Sequence, residues 1–462
     1  MPTPTGSYTS IPALRQVALG VFRAGLQAAD PVESVRSCLR SNDADALFAE
    51  DRWALLAVGK AARGMALGAR SVLSVAPVAG VVVEPKALAA SRRSGGDRQP
   101  VPVELRSWPL VWRRGSHPLP DRGSQLAARA FERCAATPSD AGGAERFLAL
   151  LSGGASALLA APTKNITLAD KVRVTELLLR AGASIGELNA VRKHLSRLKG
   201  GGLARLVAPR PATVLVLSDV PDDDLSVIGS GPWYPDPSTF AEAEAVLLRH
   251  GVYEQAPEAV RERLRRGARG QIAETPKPGD VAFLAIRHQV VATNACSVAA
   301  MAAEAERAGF EVAREERPVV GEARDAAEQW ILALSPGPPR RVARVSGGET
   351  TVTVRGVGRG GRNQELALAF ALLAERESER LAGRPWCFLS AGTDGVDGPT
   401  DAAGALVDHA SLQRCRAAGV DPAAALADND SYRALAAAGD LLRTGPTGTN
   451  VADLQVLLVQ PG

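Results

Sequence analysis

The residues best suited to chemistry lie in a glycine-rich stretch at 346–365, SGGETTVTVRGVGRGGRNQE. Glycine lets a backbone approach a ligand closely, because no side chain shields its N–H group. The stretch ends at the start of a long apolar helix, where free N–H groups and a partial positive charge favour an anion. We predict half of a phosphate-handling site here, and a tight hairpin before a capped helix is the alternative. The candidate contacts are Gly347, Gly348, Glu349, Arg362 and Asn363.

A second candidate for anion binding is the turn SGGAS at 152–156, which follows the apolar run FLALL and precedes a helix pattern. Its small residues let the backbone curl, and two hydroxyls lie beside the helix start. The same sequence also suits an ordinary strand-to-helix turn. The residues predicted to cradle phosphate are Ser152, Gly153, Gly154 and Ser156.

Lysine is rare in this chain, and two lysines stand where a charge could be used. Lys60 follows the continuous apolar run 53–58, a pattern typical of a buried parallel strand. It therefore lies at the strand end where open α/β sheets bind ligands, although a solvated turn lysine is the alternative. Lys193 lies in the basic helix pattern 189–204, which is either a positive rim for polyphosphate or a solvated face.

Carboxylates and hydroxyls follow other strand patterns. Asp219 follows the apolar run 213–217 after one serine, and Asp394 lies in a glycine turn after another such run. A carboxylate at a strand end is a usual metal ligand or general base, whereas Asp-Gly turns also occur in plain loops. A last turn could recognise phosphate or hydroxyl groups through Thr447, Gly448, Thr449 and Asn450.

Strand patterns alternate with helix patterns along the chain, which predicts an α/β fold with mainly parallel sheets. A length of 462 residues exceeds one ordinary domain. The glycine- and proline-rich stretch 229–237 marks the predicted boundary. We therefore expect two domains, residues 1–235 and residues 236–462.

The composition argues against several classes of protein. The 54 basic and 50 acidic residues nearly cancel, which argues against nucleic-acid binding. No apolar run reaches the roughly 18 residues that span a bilayer, and the N-terminus lacks the pattern of a signal peptide. The five cysteines form no CxxC pair, so we expect no disulfide framework or thiolate zinc site. We predict a cytoplasmic protein, and a homodimer is a further expectation.

Nine motifs in order resemble the class II glycerate 2-kinases, whose carboxyl-terminal part is known as the MOFRL domain. They are VGKAARGMA (58–66), SHPLPD (116–121), LLSGGASALL (150–159), NAVRKHLSRLKGGGLA (189–204), LSDVPDDDLSVIGSGP (217–232), SGGETTV (346–352), GRGGRNQE (358–365), AGTDGVDGPTDAAGA (391–405) and GPTGTNVADL (445–454). The resemblance implies two three-layer domains, a Rossmann-like N-terminal domain and a C-terminal domain with the MOFRL region at about 342–459. It also implies an active cleft between them.

The implied reaction transfers the γ-phosphoryl group of ATP to the 2-hydroxyl of D-glycerate, with Mg²⁺ as the divalent metal. Lys60 and Arg362 are the cations expected to hold the transferring group. Asp219 or Asp394 would hold Mg²⁺ or accept the hydroxyl proton, and the sequence leaves both assignments open. A kinase of another small hydroxy acid and an NAD(P)H-dependent hydroxypyruvate reductase are the alternatives. The reductase is disfavoured, because no GxGxxG after a strand has an acidic residue about 20 positions on.

Overall fold

The structure of this chain is a computed structural model. It describes residues 10–86, 100–315, 317–334, 340–381 and 383–461. The chain divides into two compact units. The first unit holds residues 31–86 and 100–291, and the second holds residues 10–30 and 292–461. The predicted boundary after residue 235 falls within the first unit.

Helices and strands alternate through most of the described residues. The helices are α1 (Ile11–Ala28), α2 (Pro31–Ser41), α3 (Ala44–Ala49), α4 (Ala62–Arg70), α5 (Arg122–Ala136), α6 (Ala155–Leu158), α7 (Leu168–Arg180), α8 (Ile185–His194), α9 (Gly202–Val207), α10 (Phe240–Arg249), α11 (Glu258–Ala268), α12 (Asn294–Arg307), α13 (Ala323–Leu332), α14 (Arg362–Arg376), α15 (Ser378–Leu381), α16 (Ser411–Ala417), α17 (Pro422–Ala427) and α18 (Ser431–Ala438). The strands are β1 (Trp53–Val58), β2 (Ala79–Pro85), β3 (Leu110–Gly115), β4 (Arg146–Ser152), β5 (Ala212–Leu217), β6 (Ile286–Ala292), β7 (Glu311–Arg314), β8 (Val319–Glu322), β9 (Val342–Thr351), β10 (Trp386–Gly392), β11 (Gly404–Asp408), β12 (Leu441–Leu442) and β13 (Asp453–Val459).

The first unit is built on a six-stranded sheet in the order β3-β2-β1-β4-β5-β6. The neighbours from β3 to β5 pair in parallel, and Val58 at the end of β1 lies opposite Val83 and Leu151. All six residues of β1 are buried, as expected for a parallel strand covered on both faces. Because parallel strands end at one edge, the turns after β1, β4 and β5 lie side by side. This sheet confirms the predicted α/β class.

The second unit has a different sheet, in the order β12-β11-β10-β13-β9-β7, with β8 also beside β9. Only the pairs that β9 forms with β7 and β8 are parallel. β13 runs antiparallel to both β9 and β10, and β11 is antiparallel to β10 and β12. The prediction of mainly parallel pairing was therefore wrong for this sheet. Every residue of β10 and β13 is buried, so these antiparallel strands lack the alternation of buried and exposed residues that marks an antiparallel strand with one solvated face.

The first helix belongs to the second unit because its apolar face packs on that sheet. Leu14 and Phe22 share a core with residues of α12, β10 and β13. Arg15 adds ion pairs to the buried carboxylates of Asp408 and Asp440, at 2.5 and 3.1 Å. With α14 on the opposite face, this unit has three layers, as predicted. Across the described ranges, no helix is long and apolar enough to cross a membrane.

We predict that Gly59→Ala strongly destabilises the first unit. A Cβ atom there would lie 2.1 Å from Ser152 Oγ and 2.5 Å from the Ser152 carbonyl oxygen, at a φ of +129°. The expected cost is at least about 2 kcal/mol, measured by thermal unfolding. Gly186→Ala in α8 is the matched control, because a Cβ atom there would come no nearer to a neighbour than 4.0 Å, at Ser184 Oγ. Equal unfolding temperatures for the two variants would contradict the prediction.

Candidate functional site

The turns after β1 and β4 are in direct contact at the carboxyl edge of the first sheet. The N–H of Lys60 donates to the carbonyl oxygen of Gly153 at 2.9 Å. The N–H of Ala61 donates to Ser152 Oγ at 3.0 Å. The structure thus brings together Lys60 and the SGGAS turn, two candidates that the sequence suggested separately.

Gly154 lies between Lys60 and a histidine. A Cβ atom at Gly154 would lie 3.2 Å from His117 Cδ2 and 3.4 Å from Lys60 Cγ. Its φ of +82° also favours glycine. This histidine was not among the predicted site residues, and its place in the SHPLPD motif was the available signal. An exposed imidazole and an ammonium therefore flank a turn with little side-chain bulk.

The backbone of the SGGAS turn, rather than its hydroxyls, remains available to an anion. Ser152 is fully buried, and its Oγ accepts a backbone N–H. Ser156 Oγ lies 2.6 Å from Lys199 Nζ and 2.9 Å from Ser230 Oγ. Among the described residues, no acceptor takes the N–H of Ala155 or Ser156 at the start of α6. Adjacent unused N–H groups of this kind suit the oxygens of a phosphate.

Lys193 forms a buried ion pair with Asp236. Its Nζ lies 3.2 Å from Oδ1, and the two side chains are 5% and 0% exposed. Burial raises the pKa of Asp236, but the charge of Lys193 and a hydrogen bond from Ser238 hold it below its ordinary value. The structure therefore places Lys193 against a carboxylate of the protein, which competes with the polyphosphate contact suggested by the sequence.

Arg362 opens α14 and binds two carboxylates of the second unit. Its Nε and Nη2 donate to Asp453 at 2.6 and 2.8 Å, and its Nη1 lies 2.9 Å from Glu349 Oε1. Burial lowers the pKa of Arg362, but the hydrogen bonds and charge of Asp453 raise it above its ordinary value. Two predicted residues, Arg362 and Glu349, are thus in direct contact, and the buried Asp453, which was not among the predicted site residues, also binds the arginine.

The start of α14 already holds an internal anion. Asp397 accepts the N–H groups of Asn363 and Gln364 at 3.1 and 2.9 Å. Burial raises the pKa of Asp397 to about 6; the two backbone hydrogen bonds lower it, and the charge of Asp453 raises it. The N–H groups that the sequence suggested for a phosphate are therefore used by a carboxylate of the protein.

The segment 428–430 holds the glycine-rich loop before α14. Asn429 Oδ1 accepts the N–H groups of Arg355 and Gly356 at 2.7 and 3.0 Å. The aspartates on either side accept two further N–H groups of the loop, at 3.0 and 3.1 Å. Since these donors are used within the second unit, the loop has the arrangement expected of the alternative, a tight turn before a capped helix.

Gly347 and Gly348 have packing reasons to be glycine. A Cβ atom at Gly347 would lie 1.8 Å from Oδ1 of Asn294 on α12, and one at Gly348 would lie 2.2 Å from the carbonyl oxygen of Val319 on β8. Gly348 also has a φ of +150°. These two glycines let β9 pack beside α12 and β8, so their presence needs no ligand as an explanation.

The TGTN turn packs against the loop that carries Asp394. The N–H of Thr447 donates to the carbonyl oxygen of Asp394 at 3.4 Å. The hydroxyl of Thr449 is buried and donates to a backbone carbonyl at 2.6 Å. A Cβ atom at Gly392 would lie 3.4 Å from Oδ1 of both Asp394 and Asp453. Asp394 therefore lies beside the aspartate that binds Arg362, whereas the threonine hydroxyl at 449 stabilises the fold.

A cavity of about 340 Å³ lies at the other edge of the first sheet. It is lined by residues where β4, β5 and β6 begin, among them Arg146, Ala212 and Arg287. Lys60 and the SGGAS turn follow the opposite ends of their strands. This cavity is therefore separate from the candidate residues of the first unit.

We predict that Asp397→Asn destabilises the second unit, because one oxygen that faces two donors becomes an NH₂ group. The expected cost is about 1–3 kcal/mol. The pKa of Asp397 is about 6 in the folded protein, and its ordinary value is 3.8. Between these pH values, Asp397 therefore binds more protons in the folded state than in the unfolded state. The stability that Asp397 contributes is thus complete below about pH 4 and falls as pH rises to about 6.

The measurement is urea unfolding of wild type and Asp397→Asn at several pH values. The difference between the two proteins should shrink as pH rises from about 4 to about 6. A difference that grows over this range would show that the folded-state pKa of Asp397 lies below its ordinary value.

Two family models match most of this chain. A model described as a domain of unknown function, DUF4147, matches residues 17–265. The model of the MOFRL family matches residues 342–453. The first match covers the strand ends around Lys60 and SGGAS, and the second covers the Arg362–Asp453 pair.

Curated relatives align over nearly the whole chain. The D-glycerate 2-kinase of Thermotoga maritima is 37% identical over 97% of this chain and 99% of its own length. The glycerate 2-kinase of Pyrococcus horikoshii is 34% identical over 96% and 97%, and the human glycerate kinase is 34% identical over 88% and 84%. A crystal structure of Thermotoga maritima glycerate kinase matches with a TM-score of 0.77 at 35% identity, over 97% of this chain and 100% of that chain.

Proposed function

This chain belongs to the glycerate 2-kinase family, and we propose that it transfers the γ-phosphoryl group of ATP to the 2-hydroxyl of D-glycerate to give 2-phospho-D-glycerate. The observation that carries the proposal is the near full-length similarity to proteins named D-glycerate 2-kinase and glycerate 2-kinase. The arrangement of Lys60, Gly154 and His117 supports it, because phosphoryl transfer depends on positioning and on neutralising charge.

Lys60 is the proposed cation for phosphoryl oxygens in the first unit. It follows β1 and its side chain borders Gly154, where the unused N–H groups of α6 begin. A lysine acts on phosphate as a compact point charge, and backbone N–H groups add fixed donors that cost little reorganisation during the reaction. We propose that SGGAS and Lys60 together hold phosphate of the nucleotide.

Arg362 is the proposed cation of the second unit. A guanidinium has five N–H donors. Asp453 accepts one from Nε and one from Nη2, and Glu349 lies next to Nη1, so three of the five donors are used. The fork to the buried Asp453 holds the plane of the guanidinium in one orientation. The remaining donors at Nη1 and Nη2 suit a phosphoryl group or the substrate carboxylate.

Mg²⁺ is part of the proposal. It prefers oxygen ligands and is usually held by one or two carboxylates together with substrate phosphates. Asp219 and Asp394 are half-buried and fit that role, and either could instead accept the hydroxyl proton. In the part of the chain that the structure describes, no three metal-ligating side chains cluster, as suits a metal carried largely by the nucleotide. When bound, the metal neutralises charge on the phosphates.

The cytoplasmic location, the homodimer and the lack of nucleic-acid binding remain predictions from the sequence. The choice of D-glycerate over another small hydroxy acid also needs a direct test.

We expect purified protein with D-glycerate, ATP and Mg²⁺ to form ADP and 2-phosphoglycerate, with the phosphorylated position identified by NMR. Lys60→Met and Arg362→Lys should each lower turnover by about 10²–10³-fold, with unchanged unfolding temperatures. Lysine is used at 362 because Arg362→Ala would leave the buried Asp453 without a counter-charge, at a cost of about 3–5 kcal/mol.

Lys164→Met is the control, since this lysine is exposed. No ADP above background from wild type, beside an active control kinase, would exclude the kinase. Oxidation of NAD(P)H with hydroxypyruvate would favour the reductase instead. Turnover near that of wild type in either active-site variant would remove that residue from the mechanism.

A further inference from the structure

The basic stretch around α8 contains cations of two kinds. Lys193 is neutralised by Asp236. Arg197 donates to both carboxylate oxygens of Glu132, at 2.6 and 2.9 Å. These two side chains have partners of opposite charge, which sets them apart from three others nearby.

Lys171 on α7 is a buried cation that faces other cations. Lys171 is only 6% exposed, and its Nζ has no hydrogen-bond partner among the described residues. Burial lowers the pKa of Lys171 to about 7, and the positive charges of Arg192, Arg197 and Arg263 add to this effect. A buried ammonium without a partner is costly, and a bound anion would lower that cost.

Lys199 and Arg192 complete the group. Lys199 is 4% exposed, and two of its three N–H donors go to the carbonyl oxygen and Oγ of Ser156, at 2.7 and 2.6 Å. Burial lowers the pKa of Lys199, as do the charges of Lys171 and Arg192. Burial also lowers the pKa of the half-buried Arg192, and no carboxylate of the described residues acts on it.

We propose that Lys171, Arg192 and Lys199 form a cationic site that takes a phosphoryl group. Arg192 acts on both lysines and Lys171 acts on Lys199, while no carboxylate among the described residues acts on any of the three. Such a group favours an oxyanion of more than one negative charge. Lys199 links this site to Ser156, and so to the SGGAS turn.

The inference rests on the proposed function for the source of the phosphoryl group, which is ATP. The shared chemistry of ATP and inorganic phosphate means that either could occupy the site. The site lies in the same unit as Lys60, and it extends the proposed phosphate contacts of the SGGAS turn to a set of side chains behind it.

Without an anion, the site should weaken the protein. The substitution Lys171→Met keeps a similar side-chain length but removes the uncompensated charge. It therefore removes the cost of burying an ammonium. We expect this variant to unfold at a higher temperature than wild type in anion-free buffer at pH 7. A lysine with a hidden structural partner would give the opposite result, because its loss would leave that partner buried and unpaired.

The test measures binding of inorganic phosphate and of ATP by calorimetry and by thermal shift, on full-length wild type, Lys171→Met and Lys164→Met. Lys164 is an exposed lysine seven positions earlier, so its substitution controls for loss of one positive charge. We expect Lys171→Met to bind ATP roughly 10- to 100-fold more weakly than wild type, and Lys164→Met to match wild type. Weaker binding of phosphate as well would assign the site to any phosphoryl group, and an effect on ATP alone would assign it to the nucleotide.

Two results would overturn the inference. One is equal affinity of wild type and Lys171→Met for both probes, and the other is a lower unfolding temperature of Lys171→Met in anion-free buffer. The kinase assay separates this inference from the proposed function. Normal turnover with unchanged anion binding in Lys171→Met removes the site and leaves the kinase, whereas Lys171-dependent phosphate binding without any ADP formation removes the kinase and leaves the site.

Discussion

The approach of two turns at the carboxyl edge of the parallel sheet is the constraint on which the candidate site depends. Gly59 brings the end of β1 so near to Ser152 that no side chain fits between them, and the hydrogen bond from Lys60 to Gly153 closes the contact. This contact needs β1 and β4 to be parallel neighbours with matched ends. Lys60, His117 and the SGGAS turn take their relative positions from it.

Buried donors of the second unit have carboxylate partners, whereas only some of the buried cations of the first unit have them. In the second unit, protein carboxylates occupy the places that could have bound an external anion. Asp397 caps α14, Asp453 binds Arg362, and the segment 428–430 holds the glycine-rich loop. In the first unit, Asp236 binds Lys193, but no carboxylate among the described residues is bound to the buried Lys171 or Lys199. Because a buried charge without a partner costs free energy, this part of the first unit is where we propose that an anionic ligand binds.

This contrast changes the meaning of the glycine-rich stretch 346–365. Its glycines and helix start have the composition of an anion site, but composition does not reveal which acceptor the donors find. Here, the acceptors come from residues 397 and 428–430, which are distant in sequence. Arg362 keeps a place in the proposed mechanism because Asp453 orients it, since a guanidinium has more donors than its two carboxylate partners use.

Much of the fold could be predicted from local sequence patterns. A buried strand is rich in apolar residues, and a tight turn often needs glycine, whichever elements pack beside them. The sequence by itself determined the α/β class, the family resemblance, and the positions of Lys60 and SGGAS at strand ends. Tertiary structure alone decided that β13 runs antiparallel between β9 and β10, since strands buried on both faces have the same pattern in either direction. It also decided which charges are paired: Lys193 and Lys171 are both lysines in helical segments, and only the fold gives Asp236 to one and other cations to the other.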